Sequence, residues 1–207
     1  MEKTHFKKIL LVSAHPDDIE YGMGGTLYKL CKGKRAKIKV IIFADCEEQP
    51  GNKGITKEFK RSMRFFDIIN YKLYDFPNTK LLEHSSQIRE QLEKCKNSFG
   101  PDLVFSTSKN SIHQDHEYVS LEVERVFRNI SFLTFEDIKS SPYFSPNFFS
   151  LLNESYIKNK LEALSLYKTQ YRRYYHDEEL IKSLARFRGG QVGCKYAEAF
   201  EVIRYIL

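Results

Sequence analysis

Residues 8–30, KILLVSAHPDDIEYGMGGTLYKL, constrain the fold more than any other part of the chain. Ile9-Leu10-Leu11-Val12 is a continuous apolar run, the pattern of a strand buried on both faces of a parallel sheet. Pro16 ends it, because proline cannot donate to a sheet ladder and pushes its neighbour out of the helical region. His15, Asp17 and Asp18 are therefore delivered together at the carboxyl end of the strand. Gly22, Gly24 and Gly25 then allow a tight turn into a helix carrying Leu27, Leu30 and Cys31, which Gly33 can close. Strand, polar turn and helix begin a doubly wound fold, whose ligands sit outside the carboxyl ends of the strands.

The rest of the chain repeats the alternation. Further strands are predicted at residues 38–43, 71–76 and 103–106, with strand-like runs at 131–135 and 147–152. Between them, three sets fall on single helical faces: Phe59, Met63 and Phe66; Ile88, Leu92, Cys95 and Phe99; Val119, Val123, Val126 and Ile130. Residues 140–146 read as a surface loop placed to shape a substrate mouth. Asn153 is suited to cap a helix bearing Ile157, Leu161 and Leu164, and a further helix runs through Leu180, Leu184 and Phe187 before Gly189-Gly190. Residues 196–207 fit strand and helix equally. The expected architecture is α/β, a Rossmann-like doubly wound and mostly parallel sheet, in a single domain over residues 1–207.

Composition excludes more than it selects. The 33 Lys and Arg against 27 Asp and Glu give a formal charge of +6, but the basic residues are spread along the chain and read as solvated surface. No apolar run approaches bilayer length, and residues 1–8 lack the core of a signal peptide, so a soluble cytoplasmic protein is expected. The four cysteines form no C-x-x-C pair, which indicates neither a disulfide framework nor a cysteine zinc site.

A second polar cluster, His113-Gln114-Asp115-His116, follows the strand at 103–106 and opens a helix. In a doubly wound sheet it emerges at the same edge as His15. Alone, each cluster is a solvated pair or favourable charge at a helix amino end. Together they hold three of the six histidines at strand ends on one side of the sheet. His15, Asp18 and His116 supply a three-ligand set of the kind used by catalytic Zn²⁺, with other first-row divalent ions also suited to it. Asp17, beside a ligand yet free, is placed to accept a proton as general base. His113 is the candidate positive donor to an oxyanion, held in orientation by Asp115.

The run Ala14-His15-Pro16-Asp17-Asp18, then Gly22-Met23-Gly24-Gly25-Thr26, with His113-Gln114-Asp115-His116 downstream, resembles the PIG-L/LmbE-like de-N-acetylase family. Supporting likeness lies in Phe76-Pro77-Asn78-Thr79, Pro101-Asp102-Leu103-Val104, a helix over residues 160–170, and Tyr196-Ala197-Glu198-Ala199-Phe200. The resemblance implies zinc-dependent removal of an N-acetyl group from a glucosamine-type sugar or its conjugate within a Rossmann-like fold. By position it implies His15, Asp18 and His116 as metal ligands, Asp17 as base and His113 as the oxyanion-side histidine. Two departures concern the substrate. Many relatives carry an Arg before the second helix, where this chain has Gly54-Ile55-Thr56-Lys57-Glu58, so Lys57 or Arg61 is the candidate replacement. The second strand ends in Ala44-Asp45-Cys46-Glu47 rather than Asp-Gly-Glu.

Candidate substrate contacts are therefore Asp45, Lys57, Arg61, Asn78 and Lys80, with Lys53 nearby. Their cations suit a phosphate-bearing or nucleotide-linked N-acetylated amino sugar. The expected partner is this small molecule rather than nucleic acid, and a homo-oligomer is compatible with the sequence. Two alternatives stand beside this reading. One is an amidase acting on a larger acyl or thiol conjugate. The other is a metal-free Rossmann-like binding module for nucleotides or nucleic acid, against which stand the missing G-x-G-x-x-G and Walker patterns and the extra Asp17.

Overall fold

The computed structural model describes residues 5–206. The strands are β1 (Lys8–Ser13), β2 (Lys37–Ile42), β3 (Tyr71–Leu73), β4 (Leu103–Thr107), β5 (Ser131–Phe135), β6 (Phe148–Leu152) and β7 (Tyr196–Arg204). The helices are α1 (Asp18–Gly33), α2 (Ile55–Phe65), α3 (Ser85–Phe99), α4 (Gln114–Val126), α5 (Glu154–Leu164) and α6 (Glu178–Gln191), with short 3₁₀ turns at Leu81–His84, Lys168–Gln170 and Tyr174–His176. The sheet order is β3-β2-β1-β4-β5-β7-β6. The first five strands of that order run parallel, and β7 is antiparallel to both of its neighbours. No helix among the described residues is long and apolar enough to cross a membrane.

The apolar run in β1 explains the layering. Ile9 and Leu11 face one way, into a core shared with Ile19, Met23 and Leu27 of α1 and Phe59 and Met63 of α2. Leu10 and Val12 face the other way, against Ile88 and Leu92 of α3 and Val119 and Val123 of α4. All four β1 side chains are fully buried, each contributing roughly 1.5–3 kcal/mol. A strand with no polar face must be central, and β1 is, between β2 and β4.

The chain departs from the sequence reading at several points. The glycines after the first polar turn do not make a turn. Helix α1 already begins at Asp18 and runs through them, with one non-helical residue at Met23 (φ −146°, ψ 23°). They are small because other elements press on them: a Cβ on Gly22 would lie 2.1 Å from the Phe135 ring, and one on Gly25 would lie 2.7 Å from Leu152. The kink frees backbone groups, and a buried ion pair takes them up. Lys160 Nζ of α5 donates to the Tyr21 carbonyl at 2.6 Å, while Glu198 of β7 accepts from the Gly25 and Thr26 amides at 3.0 and 2.6 Å. Lys160 and Glu198 are themselves 2.7 Å apart and 4% and 3% exposed. The broken helix is thus capped twice from within the core.

Other boundaries also move. Helix α1 is closed by Lys34 in the left-handed region, not by Gly33. The third strand stops at Leu73, α4 stops at Val126 with Ile130 in the turn beyond, and the helix expected over 160–170 ends at Leu164 before a separate 3₁₀ turn. Helix α6 runs on through Gly189-Gly190 and buries Ile181, Ala185 and Arg188, leaving Leu180 and Phe187 exposed. Gly189 sets that rotation, since a Cβ there would meet the backbone of residues 194–196 at 2.7–2.8 Å. Residues 196–204 of the ambiguous segment are strand, and residue 207 lies outside the described residues.

Candidate active site

The strand order puts the carboxyl ends of β1, β4 and β5 side by side, at the point where the chain changes direction across the sheet. The loops that follow carry His15, Asp17 and Asp18, then His113, Asp115 and His116, then Asp137. The two histidine clusters, about a hundred residues apart in sequence, therefore meet. His15 Nδ1 lies 3.2 Å from His116 Nε2, and His116 Nε2 lies 3.2 Å from Asp18 Oδ1. His15 Nδ1 is 3.5 Å from Asp18 Oδ2. Four-coordinate Zn²⁺ with ligands at 2.0–2.1 Å keeps its donors about 3.3 Å apart, so this spacing fits one small ion.

The atoms turned away from that centre are each anchored. His15 Nε2 meets Asp115 Oδ2 at 3.1 Å, and His116 Nδ1 meets Asp137 Oδ2 at 3.4 Å. Asp18 Oδ2 accepts from Ser13 Oγ at 2.5 Å and from the His15 amide at 2.9 Å, leaving Oδ1 toward His116. Fixing the far side of each ligand sets its orientation and tautomer. Asp115 is in turn held by the amides of Thr79 and Leu81, at 2.7 and 3.3 Å, and Asp137 by Ser140.

The electrostatics call for a cation. None of Asp17, Asp18, Asp115 and Asp137 is ion-paired to a Lys or Arg among the described residues. His116 alone balances much of this charge: burial pulls its pKa down, but Asp18 and Asp137 outweigh that and raise it to about 10. Burial raises the Asp18 carboxyl, yet the charge and hydrogen bond of His116 and the bonds of His15 hold it well below the usual carboxylate range. The donor set and its charge match a divalent metal.

Asp17 is set apart from this anchored group. It is the N-cap residue of α1 in the left-handed region (φ 81°), a strained position for a residue other than glycine. It is 8% exposed, yet its carboxylate makes no cap bond and no other hydrogen bond among the described residues. Burial, then the charges of Asp18, Glu20 and Asp137, push its pKa well above the carboxylate norm. A buried carboxyl group with high proton affinity and no partner is arranged to take a proton from elsewhere.

His113 stacks on His116 with ring centroids 4.5 Å apart, and it caps α4 by accepting the Asp115 amide on Nδ1 at 3.3 Å. Its orientation thus comes from the Asp115 backbone, whereas the Asp115 carboxylate serves His15. Burial, and then the neighbouring His116 and His15, lower its pKa to about 4. With Nδ1 accepting from that amide, Nε2 is the nitrogen left to donate. His15, His113 and His116 each offer a nitrogen, all within 4.8 Å of one another. The shorter donor separations favour Asp18 over His113 as the third ligand.

The expected substrate contacts scatter. Asp45 turns its carboxylate back onto the Glu47 amide, at 3.1 Å. Lys57 and Arg61 are exposed on α2. Asn78 and Lys80 belong to the loop whose Thr79 and Leu81 amides bind Asp115, so they stand beside the cluster. Sequence reasoning missed Asp137, which follows Phe135 at the end of β5. The rule that located His15 and His113, polar residues just past a buried strand, applies equally there.

The family described as PIG-L, GlcNAc-PI de-N-acetylase, matches residues 10–127, a stretch that contains both histidine clusters. The chain is 28% identical over 172 residues to the uncharacterized deacetylase YaiS of Escherichia coli K12, covering 79% of this chain and 91% of that one. Its fold is similar to that of the N,N'-diacetylchitobiose deacetylase from Pyrococcus horikoshii, with TM-score 0.80, 19% identity, and coverage of 96% of this chain and 84% of the other. It is also similar to GalB, the 4-carboxy-2-hydroxymuconate hydratase from Pseudomonas putida KT2440, with TM-score 0.78, 16% identity, and coverage of 97% and 98%. The fold by itself therefore does not fix the reaction.

Proposed function

Because the chain belongs to the PIG-L family of GlcNAc-PI de-N-acetylases, we propose that it is a metal-dependent hydrolase releasing acetate from an N-acetylated amino sugar or a conjugate of one. The observation that carries the reading is Asp17, a buried, strained and unbonded carboxyl group beside the His15, Asp18 and His116 donor set. Those three residues would hold the ion, Zn²⁺ by default, and Asp115 and Asp137 fix the two imidazoles. When bound, the metal polarises the amide carbonyl and lowers the pKa of water to about 7.

The chain's own groups do the rest. Asp17 takes the proton of the attacking water as a C–O bond forms at the acetyl carbon. His113 donates from Nε2 to the carbonyl oxygen as negative charge gathers there. The C–N bond then breaks, and Asp17 returns the proton to the departing amine, so that acetate and a free amino sugar leave. Asp45, Asn78 and Lys80, with Lys57 and Arg61 further out, are the proposed contacts to the sugar. The same reading makes this a cytoplasmic enzyme, in keeping with four free cysteines.

The test is acetate release from a panel of N-acetylated amino sugars and their glycosides, with free amine measured in parallel. One acetate per amine, lost on chelation and restored by Zn²⁺, supports the reading. Acetate release that survives complete metal removal refutes it, as does a metal-loaded protein that hydrates enols and deacetylates nothing.

A further inference from the structure

Resting on the deacetylase reading, we infer that Tyr175, Lys139 and Arg173 form a subsite for an oxyanion, phosphate or carboxylate, carried by the substrate on the side of the sugar away from the acetamide. The three residues lie outside every motif that the sequence singled out. Tyr175 and Lys139 are brought to the edge of the site by two separate connections, and Arg173 stands two residues before Tyr175 in the chain.

The first connection runs through α1. The Tyr21 amide donates to the Asp17 carbonyl at 2.9 Å, which places Tyr21 one turn after the proposed base. Its ring meets the Tyr175 ring edge-on at 5.5 Å, and its hydroxyl pairs with His176 Nδ1 at 2.5 Å. The Tyr174–His176 turn is thereby pinned to the helix that carries Asp17. The second connection runs through the loop after β5. Asp137, which faces His116, accepts the Lys139 amide on its other oxygen at 3.0 Å, and Lys139 Nζ stands over the Tyr175 ring at 5.5 Å. Tyr175 is thus held between the residue four past the base and the residue two past the acid behind a proposed metal ligand.

What these groups lack identifies the ligand. Among the described residues the Tyr175 hydroxyl makes no hydrogen bond, and neither Lys139 nor Arg173 has a carboxylate partner. Lys139 and Arg173 are exposed, and Tyr175 is half-buried. Burial, then Asp17, Asp18 and Asp137, push the phenol pKa up while Arg173 opposes them, so the hydroxyl stays a donor. A phenol O–H without a hydrogen-bond partner, beside an ammonium and a guanidinium without carboxylate partners, makes a charge-assisted donor set for oxygens that share a negative charge. The interior is lined by Asp17, Asp18, Asp115 and Asp137, so a second oxyanion, on the far side of the sugar, is better accepted at this rim than among them. The acetamide is then the end that enters. Lys80 is the competing cation, in the loop whose Thr79 and Leu81 amides hold Asp115.

The experiment compares kcat/KM of the zinc-loaded full chain for free N-acetylglucosamine, its 1-phosphate and a uronic acid glycoside of it. The 1-phosphate and the uronide arms separate phosphate from carboxylate. We expect at least one oxyanion-bearing substrate to be preferred by about tenfold at low salt, with the preference fading as salt screens it. Lys139→Met and Tyr175→Phe should each collapse that ratio through KM, while Lys80→Met preserves it. In parallel, calorimetry on the same proteins measures binding of glucosamine 1-phosphate against glucosamine, which needs no turnover. Tighter binding of the phosphate that depends on Lys139 supports the subsite even if deacetylation is absent, in which case only the reaction assigned above has failed. Equal binding of the two, a preference untouched by Lys139→Met and Tyr175→Phe, or one lost in Lys80→Met would overturn the proposal.

Discussion

Glu198→Gln is the substitution whose cost the fold specifies best. Glu198 is 3% exposed and is held by three donors: the Lys160 ammonium and the amides of Gly25 and Thr26, where α1 is broken at Met23. The glutamine keeps the shape but removes the charge and one acceptor, so a Lys160 ammonium that is 4% exposed is left with neutral oxygens alone and an NH2 stands where an oxygen accepted from a backbone amide. Removing one member of a buried pair costs about 3–5 kcal/mol, because the survivor stays desolvated and uncompensated. For 207 residues the unfolding entropy is about 0.43 kcal/mol/K, so Tm should fall by roughly 7–12 °C. Urea and thermal unfolding of the wild type, Glu198→Gln, Lys160→Met and the double variant close a mutant cycle. The double variant should lose well under the sum of the single losses, since neither charge is then left alone. A Glu198→Gln loss under 1 kcal/mol, or strict additivity, would refute the account of the kink as stapled by this pair.

Three further outcomes follow from the packing and the charge network. Gly22→Ala forces a Cβ within 2.1 Å of the Phe135 ring and should destabilise by about 1–3 kcal/mol in denaturant melts. Glu122 is fully buried and bonded by Arg89 at 2.7 and 3.0 Å, Arg125 at 2.5 Å and Tyr118 at 3.0 Å. Burial raises its pKa, but Arg89, Arg125 and Tyr118 together hold it below the ordinary carboxylate value. Its stabilisation is therefore fully present above pH ~4.5 and is lost as pH falls through the depressed folded value. Glu122→Gln should be about 2 kcal/mol less stable than wild type at pH 7, with the gap narrowing in melts below pH 4. Asp137→Asn, which weakens the hold on His116, should reduce zinc affinity about 10–100-fold in competition titrations against a chelator.

The sequence was informative where one physical cause dominates. An all-apolar β1 has to be a central strand, and polar residues stopped by Pro16 have to lie at its carboxyl end, so the sheet and the meeting of His15 with His116 were legible. Where two causes compete, the pattern misled. Gly22, Gly24 and Gly25 look like a turn, yet they are small because Phe135, Lys160 and Leu152 press on the helix. Glu198 and Glu201 have a helix-like spacing inside a strand, and both are buried on partners from distant elements. In α6 the buried face includes Arg188, paired with Glu136 at 2.9 Å, so reading apolar residues alone chose Leu180 and Phe187 instead. Asp137 was within reach of the strand-end rule, whereas Lys139 and Tyr175 stayed hidden because their relation to the site runs through Asp137 and Tyr21 in the folded chain.

The central claim is that Asp17 is the base beside a metal held by His15, Asp18 and His116. Its most direct test is the single-turnover rate of acetate release by Asp17→Asn, at one zinc per chain by metal analysis, beside the wild type at the same occupancy. The account predicts full zinc binding, an unchanged fold and a rate lower by roughly 10²- to 10⁴-fold, since asparagine cannot accept the water's proton. A zinc-loaded Asp17→Asn protein that turns over at near the wild-type rate would contradict it.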